Sequence, residues 1–267
     1  MCLILFAHDA HPDWPLVVAA NRDEAYARPA AAAAFWSDAP LVCAGRDLEK
    51  GGTWLGISRN GRFATVTNYR DGISAKTAPR SRGELTAGFL RGNTKPGAYL
   101  EAVSEADREY NDFCLIIGDH SGLWFHSNRA AGATRITAGV HGLSNSLLDT
   151  PWPKVVRGKQ ELERAIQRND CGLITSLFAL LADRSVAPDH HLPDTGVGVE
   201  RERDLSPAFI ASQLYGTRAS TVVLVSRSGK VVFTERRFGS GGAFKGETRH
   251  EFEIERSQIE PPRRQGR

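Results

Sequence analysis

Long apolar runs are missing from this 267-residue chain, and so are paired cysteines, blocks of like charge and internal repeats. No stretch approaches the roughly 20 apolar residues of a membrane-spanning helix, so integral membrane association is not expected. The cysteines, Cys2, Cys43, Cys114 and Cys171, are far apart and form no C-x-x-C pair. Neither a zinc site nor a disulfide framework is therefore indicated, and the last three read as small buried hydrophobes. The 34 basic and 31 acidic residues are interleaved, with part of the excess in Arg263, Arg264 and Arg267. That excludes the concentrated basic face of a nucleic-acid-binding protein. The apolar opening meets His8 and Asp9 at once and has no basic leader, unlike a secretory signal, and a cytoplasmic location is the expectation. Gly239-Ser240-Gly241-Gly242 fits neither the dinucleotide nor the P-loop pattern and reads as a hairpin loop. In Asp189-His190-His191 adjacent histidines point apart with no third ligand suitably spaced, so no metal site is expected.

What is present is an ordinary globular composition, 41% apolar and 24% charged, patterned as short strands and a few helices. Leu3 to Phe6 and Leu16 to Ala20, joined by the polar turn His8 to Pro15, predict a hairpin. Ala25 to Ala39, rich in Ala and Pro, reads as a loop over the site. Strands are predicted at 41–45, 52–58 and 63–67, the last two across Asn60-Gly61. Ser81-x-x-Glu84 has capping-box spacing, so a helix starts there, and Pro96 opens a second running to Glu109. Further strands fall at 113–117, 123–126, 134–138 and 140–143. Trp152 to Gln167 is an amphipathic helix and Leu173 to Leu181 a more apolar one. Residues 182–205 read as a long loop of the kind that often carries function. Strands at 220–225, 230–235 and 251–255 close the chain. This order is not the regular alternation of a parallel α/β fold; it predicts an α+β protein of antiparallel sheets packed face to face with helices outside.

The chemistry is concentrated at the start. Cys2 directly follows Met1, and small penultimate residues permit removal of the initiator. The result is a thiol and a free α-amine on one residue, the amine with a reference pKa near ~8 that suits it to accept a proton at neutral pH. The hairpin returns Asn21-Arg22-Asp23-Glu24 beside it. A guanidinium there favours the thiolate, and a carboxylate holds the ammonium or the arginine. A buried core cysteine beside a solvated turn is the plainer reading of the same residues.

Several segments together resemble a known family. They are Met1-Cys2, Asn21-Arg22-Asp23-Glu24 with Arg28-Pro29, Gly51-Gly52-Thr53-Trp54-Leu55-Gly56, and Ser81-Arg82-Gly83. Leu143-Ser144-Asn145 with Pro151-Trp152-Pro153-Lys154, Leu192-Pro193-Asp194-Thr195-Gly196, and Tyr215-Gly216-Thr217-Arg218-Ala219-Ser220-Thr221 complete the series. In this order they resemble the NRDE family, also called the transport and Golgi organisation 2 family, from the first residue to about Phe238. Through it the chain looks like N-terminal-nucleophile hydrolases of the choloylglycine-hydrolase and penicillin-V-acylase branch.

The resemblance implies a four-layer αββα sandwich and Cys2 as nucleophile after loss of Met1; the expected organisation is one domain over residues 1–256, and the polar chain end at 257–267 reads as a disordered tail. It implies that Asn145 polarises the scissile carbonyl of a small-molecule amide and that Arg218 sits at the mouth of the site. Asn68 is a candidate second oxyanion donor; Asn21, Glu24, Asn68 and Trp54 are candidate substrate contacts. One departure is visible. In those acylases an Asp follows the early Arg by a few residues, whereas here Arg22 and Asp23 are adjacent and Ala25 occupies the later position. Neighbours on a strand face opposite ways, so either Asp23 or Glu24 takes the carboxylate role. No cofactor is implied. The alternative from a different class is a non-catalytic carrier of haem or lipid, with His8, His11 or Cys2 as conceivable haem ligands.

Overall fold

The computed structural model describes residues 2–72, 78–168 and 172–255. Met1, Cys171 and the tail, on which the expectations of methionine removal, a buried thiol and disorder fall, lie outside the described residues.

The opening hairpin forms as predicted: β1 (Cys2–His8) pairs antiparallel with β2 (Leu16–Ala25), setting Cys2 opposite Arg22 and His8 opposite Leu16. The stretch predicted as a loop is instead largely strand, β3 (Ala30–Trp36), paired with β4 (Ala39–Asp47). Alanine is a weak strand former, but tertiary pairing overrides that preference: Ala33 is buried and its N–H donates to Glu235 at 2.8 Å. Next come β5 (Leu55–Ser58) and β6 (Phe63–Asn68), turning at Gly61 with φ 76. The capping box is present in full, Ser81 and Glu84 reciprocally bonding the first turn of α1 (Arg82–Arg91). The second helix, α2 (Pro96–Glu105), stops four residues short of the expected Glu109 and gives way to a 3-10 turn.

The chain continues through β7 (Phe113–Asp119), β8 (Gly122–Ser127), β9 (Thr134–Arg135) and β10 (Gly139–Leu143), then helices α3 (Pro153–Arg168) and α4 (Leu173–Leu181). The segment expected as a long loop holds a 3-10 turn at Asp189–His191 and a short helix, α5 (Val199–Asp204). It is pinned from within, because buried Glu202 pairs with Arg70 at 3.0 Å. The last strands, β11 (Tyr215–Val225), β12 (Lys230–Gly239) and β13 (Ala243–Glu253), are longer than their apolar runs suggested.

Two antiparallel sheets result, ordered β10-β1-β2-β11-β12-β13 and β3-β4-β5-β6-β7-β8-β9. Alternation along each strand assigns its faces. Ile4, Phe6, Val18, Ala20, Val223 and Phe233 point into the space between the sheets, where they meet Cys43, Leu55, Ile57 and Cys114. Leu3, Leu5, Val17 and Ala19 pack outward on α3 and α4, while Ala64, Val66 and Leu115 of the second sheet pack outward on α1 and α2. The architecture is therefore the predicted four-layer αββα sandwich. No helix among the described residues is long and apolar enough to cross a membrane.

The N-cap gives a direct check on this local logic. Replacing Ser81 by Ala is expected to lower stability by about 1 kcal/mol, read as the shift in free energy of urea unfolding; an unchanged midpoint overturns the cap.

Candidate active site

At the end of the sandwich where β1 begins, the polar row takes over from the apolar ones. Hydrogen-bonded neighbours across four strands place Cys2, Arg22, Ala219 and Arg237 side by side on the inner face. One step inward lie Ile4, Ala20, Thr221 and Glu235. The small side chains of Ala20 and Ala219 leave room, and a cleft of about 630 Å³ opens there, bordered by Cys2, Arg22, Trp54, Asn68, Arg218 and Glu235 among others.

Cys2 is 6% exposed. Burial pushes its thiol above the ordinary value, with the Asp23 carboxylate acting the same way and the Arg22 guanidinium opposing it. Its main-chain N–H donates to Asn145 Oδ1 at 3.4 Å, and its carbonyl accepts from Ser144 Oγ at 3.1 Å. Asn145 closes the link to the second sheet, its Nδ2 donating to the Asn68 carbonyl at 3.0 Å. It has φ 54, in the left-handed region that asparagine tolerates better than most residues, and it is almost fully buried.

The Asn21-Arg22-Asp23-Glu24 cluster splits by face, as its adjacency requires. Arg22 shares the inner face with Cys2 and pairs with Asp47 at 3.4 Å and Glu24 at 3.7 Å. Glu24 also accepts from the Ala25 N–H and borders the cleft. Asp23 projects to the helix side, where its Oδ1 accepts from Thr217 at 2.7 Å. Burial raises its pKa, opposed chiefly by Lys154, and burial pulls that lysine down to about 8. Both carboxylates thus stand near the chain start, Asp23 from below the sheet and Glu24 from the cleft.

Asn21, a candidate substrate contact, is placed elsewhere. It is fully buried on the helix face, donating to the carbonyls of Leu181 and Ala208 at 2.8 Å and accepting from Ser220 at 2.6 Å. It does not border the cleft, and Asn145 stands just behind the wall, in contact with Cys2 and Asn68; Trp54 and Asn68 border it. Arg218 reaches the cleft through a β-bulge: Thr217 pairs with Asp23 and Ala219 with Arg22, so Arg218 is the extra residue and its side chain is re-aimed. It donates to the carbonyls of Ala25 and Arg28. The conceivable haem ligands are not gathered at the site. His8 ends β1, roughly 20 Å from Cys2 at ~3.3 Å per residue, and His11 Nδ1 already accepts from the N–H groups of Asp13 and Trp14. No cluster of three or more metal-ligating side chains occurs among the described residues.

Sequence reading missed three members of this neighbourhood. Asp47, which joins Arg22 to Arg28 (2.6 Å), carries no local signal. Lys154 looks like one cation of an amphipathic helix, yet it is buried with its ammonium on the Leu205 carbonyl at 2.9 Å. Glu235 did leave a trace, since it follows Val231 and Phe233 on the inward parity of β12. It is 3% exposed, and burial pushes its carboxyl up to about 6.

The chain is similar in sequence and in fold to known proteins. The family described as Transport and Golgi organisation 2 matches residues 1–240. The Transport and Golgi organization protein 2 homolog of Bos taurus is 39% identical over 96% of this chain and 100% of its own length. The homolog of Homo sapiens is 36% identical over the same shares. Among solved structures, the C2A mutant of conjugated bile acid hydrolase from Clostridium perfringens superposes with a TM-score of 0.50 at 10% identity. It covers 95% of this chain and 92% of that one, a likeness of fold alone.

The buried carboxyl makes a pH prediction. Glu235 has an ordinary pKa of 4.5 and about 6 in the fold, so the folded state holds its proton more tightly and stability falls as pH rises between those values. The loss is about 2 kcal/mol at ~1.4 kcal/mol per unit. Glu235→Gln keeps the acceptor for Ala33 and is expected to remove that part of the pH dependence. Urea unfolding at pH 4.5 and pH 7 measures it; identical slopes for variant and parent refute the assignment.

Proposed function

The chain belongs to the Transport and Golgi organisation 2 family, and from that premise we propose that it is an N-terminal-nucleophile cysteine amidohydrolase acting on a small-molecule amide. The carrying observation is the placement of Cys2. Its sulfur side faces the cleft, and its main-chain nitrogen, the atom that becomes the α-amine once Met1 is removed, donates to Asn145 Oδ1.

In the reaction the α-amine takes the thiol proton and the sulfur attacks the amide carbonyl carbon. Burial favours the uncharged thiol, so proton transfer accompanies attack and no standing thiolate is needed. Negative charge collects on the carbonyl oxygen. Asn145 Nδ2 spends one hydrogen on Asn68 and has a second to give; Asn68, on the cleft wall, is the candidate second donor. The carbon–nitrogen bond breaks as the α-ammonium returns its proton to the leaving amine. Water, deprotonated by the same amine, then cleaves the thioester and releases the carboxylic acid. Arg22, fixed by Asp47 and Glu24, keeps positive charge beside the sulfur. Asp23 supports the amine from beneath the sheet, and Arg218 and Trp54 border the entering substrate.

Intact mass of the purified chain is expected to lack Met1, and Cys2→Ala to abolish both hydrolysis of small N-acyl amides and labelling by a thiol-reactive acyl probe. Asn145→Ala is expected to lower kcat by roughly 10²–10³, the value of one oxyanion donor. Retention of Met1 on active protein, or turnover surviving in Cys2→Ala, sinks the proposal.

A further inference from the structure

The reaction above gives no role to Arg82, although the fold takes trouble over its position. Two glycine-containing segments of the sequence meet here. A Cβ on Gly52 would stand 2.5 Å from the Gly83 carbonyl carbon, and Thr53 N–H donates to Gly83 O at 3.2 Å. Only bare backbone permits this approach. It presses the start of α1 against the lead-in to β5 and carries Arg82 to the wall of the Cys2 cleft.

Most arginines of that wall are already matched. Arg22 and Arg28 pair with Asp47, Arg46 with Asp38, and Arg80 with Glu84 and Glu109. Arg82 is different. Its Nη1 donates to the Asp112 carbonyl at 3.0 Å; Glu24 and Asp112 contribute to its field, but neither forms an ion pair with it. Its Nε and Nη2 edge, the edge that fits a carboxylate with two parallel hydrogen bonds, has no protein acceptor among the described residues. Arg237, on the facing sheet, is a second and independent instance: it has no carboxylate partner among the described residues, and its Nε is buried without an acceptor. Nine basic residues line the cleft against five acidic ones, and the side chain of one of these, Asp23, projects to the helix side. Half-buried guanidinium groups left short of acceptors are costly.

We infer that the substrate amide carries a carboxylate and that Arg82 binds it. The inference rests on the cleft being the substrate site, and it adds an anionic class and an anchor to that reading. A carboxylate on the Arg82 edge lies in the same cleft as the sulfur, so it orients the amide as well as retaining it.

Binding to Cys2→Ala protein tests this without requiring turnover. N-hexanoylglycine and N-hexanoylethanolamine share one acyl amide and differ in having a carboxylate or a hydroxyl. By calorimetry the glycine compound is expected to bind about tenfold tighter, about 1.4 kcal/mol. Arg82→Gln in the same background is expected to narrow the preference to under about threefold, Arg82→Lys to retain part of it, and the surface control Arg249→Gln all of it, with matching circular dichroism and melting curves. Arg237→Gln, expected to weaken the preference to a smaller degree, keeps the test open if Arg82→Gln does not fold. Equal binding of the two amides, no binding of either, inorganic phosphate binding as tightly as N-hexanoylglycine, or a preference intact in Arg82→Gln overturns the inference. A preference that holds while the unmutated protein hydrolyses neither compound counts against the hydrolase and leaves the anion site standing.

Discussion

The antiparallel register between β1 and β2 seats Cys2 opposite Arg22, and a slip of one residue would turn one strand's entire set of side chains to the other face. That register is not free to slip. Ile4, Phe6, Val18 and Ala20 fill the space between the sheets while Leu3, Leu5, Val17 and Ala19 fill the space under the helices, so each alternate residue is fixed by a different core. The sulfur and its neighbouring guanidinium are placed by the burial of the apolar residues behind them.

The chain start is also held from the side. Asn145, in the left-handed backbone region, bonds the nitrogen of Cys2 with its oxygen and the Asn68 carbonyl with its nitrogen. One side chain therefore ties β1 of the first sheet to β6 of the second. A residue with both tasks is a structural strut whatever its part in chemistry, and the strain of its backbone is maintained by those two contacts. The bulge in β11 works in a similar spirit, sending Arg218 toward the cleft while Thr217 keeps its bond to Asp23.

Around this centre the charges are layered. Beneath the sheet Asp23 and Lys154 are buried together, each pulled by desolvation toward its neutral form and by the other toward its charged form. On the cleft side Asp47 and Glu24 compensate Arg22, and Glu235 remains a carboxyl reluctant to ionise. The remaining arginines leave the cleft positively biased. Such an interior is expensive for a protein that only packs, and it is consistent with a site that receives a polar, negatively charged molecule.

The sequence by itself determined the antiparallel α+β character, the opening hairpin, the helix starts at Ser81 and Pro96 and the apolar helix at Leu173 to Leu181, because periodicity and capping chemistry act within a few residues. The family pattern added the αββα layering and singled out Cys2, Arg22, Asn145 and Arg218. What the tertiary structure alone decided has a common cause in pairing between residues far apart in sequence. Ala30–Trp36 became a strand because β4 and Glu235 took up its backbone groups, and Asn21 became a buried brace because Leu181 and Ala208 present carbonyls to it. Arg22 and Asp23 could be seen to diverge from their adjacency; which face met the cleft depended on how two sheets stacked, and that no local signal encodes.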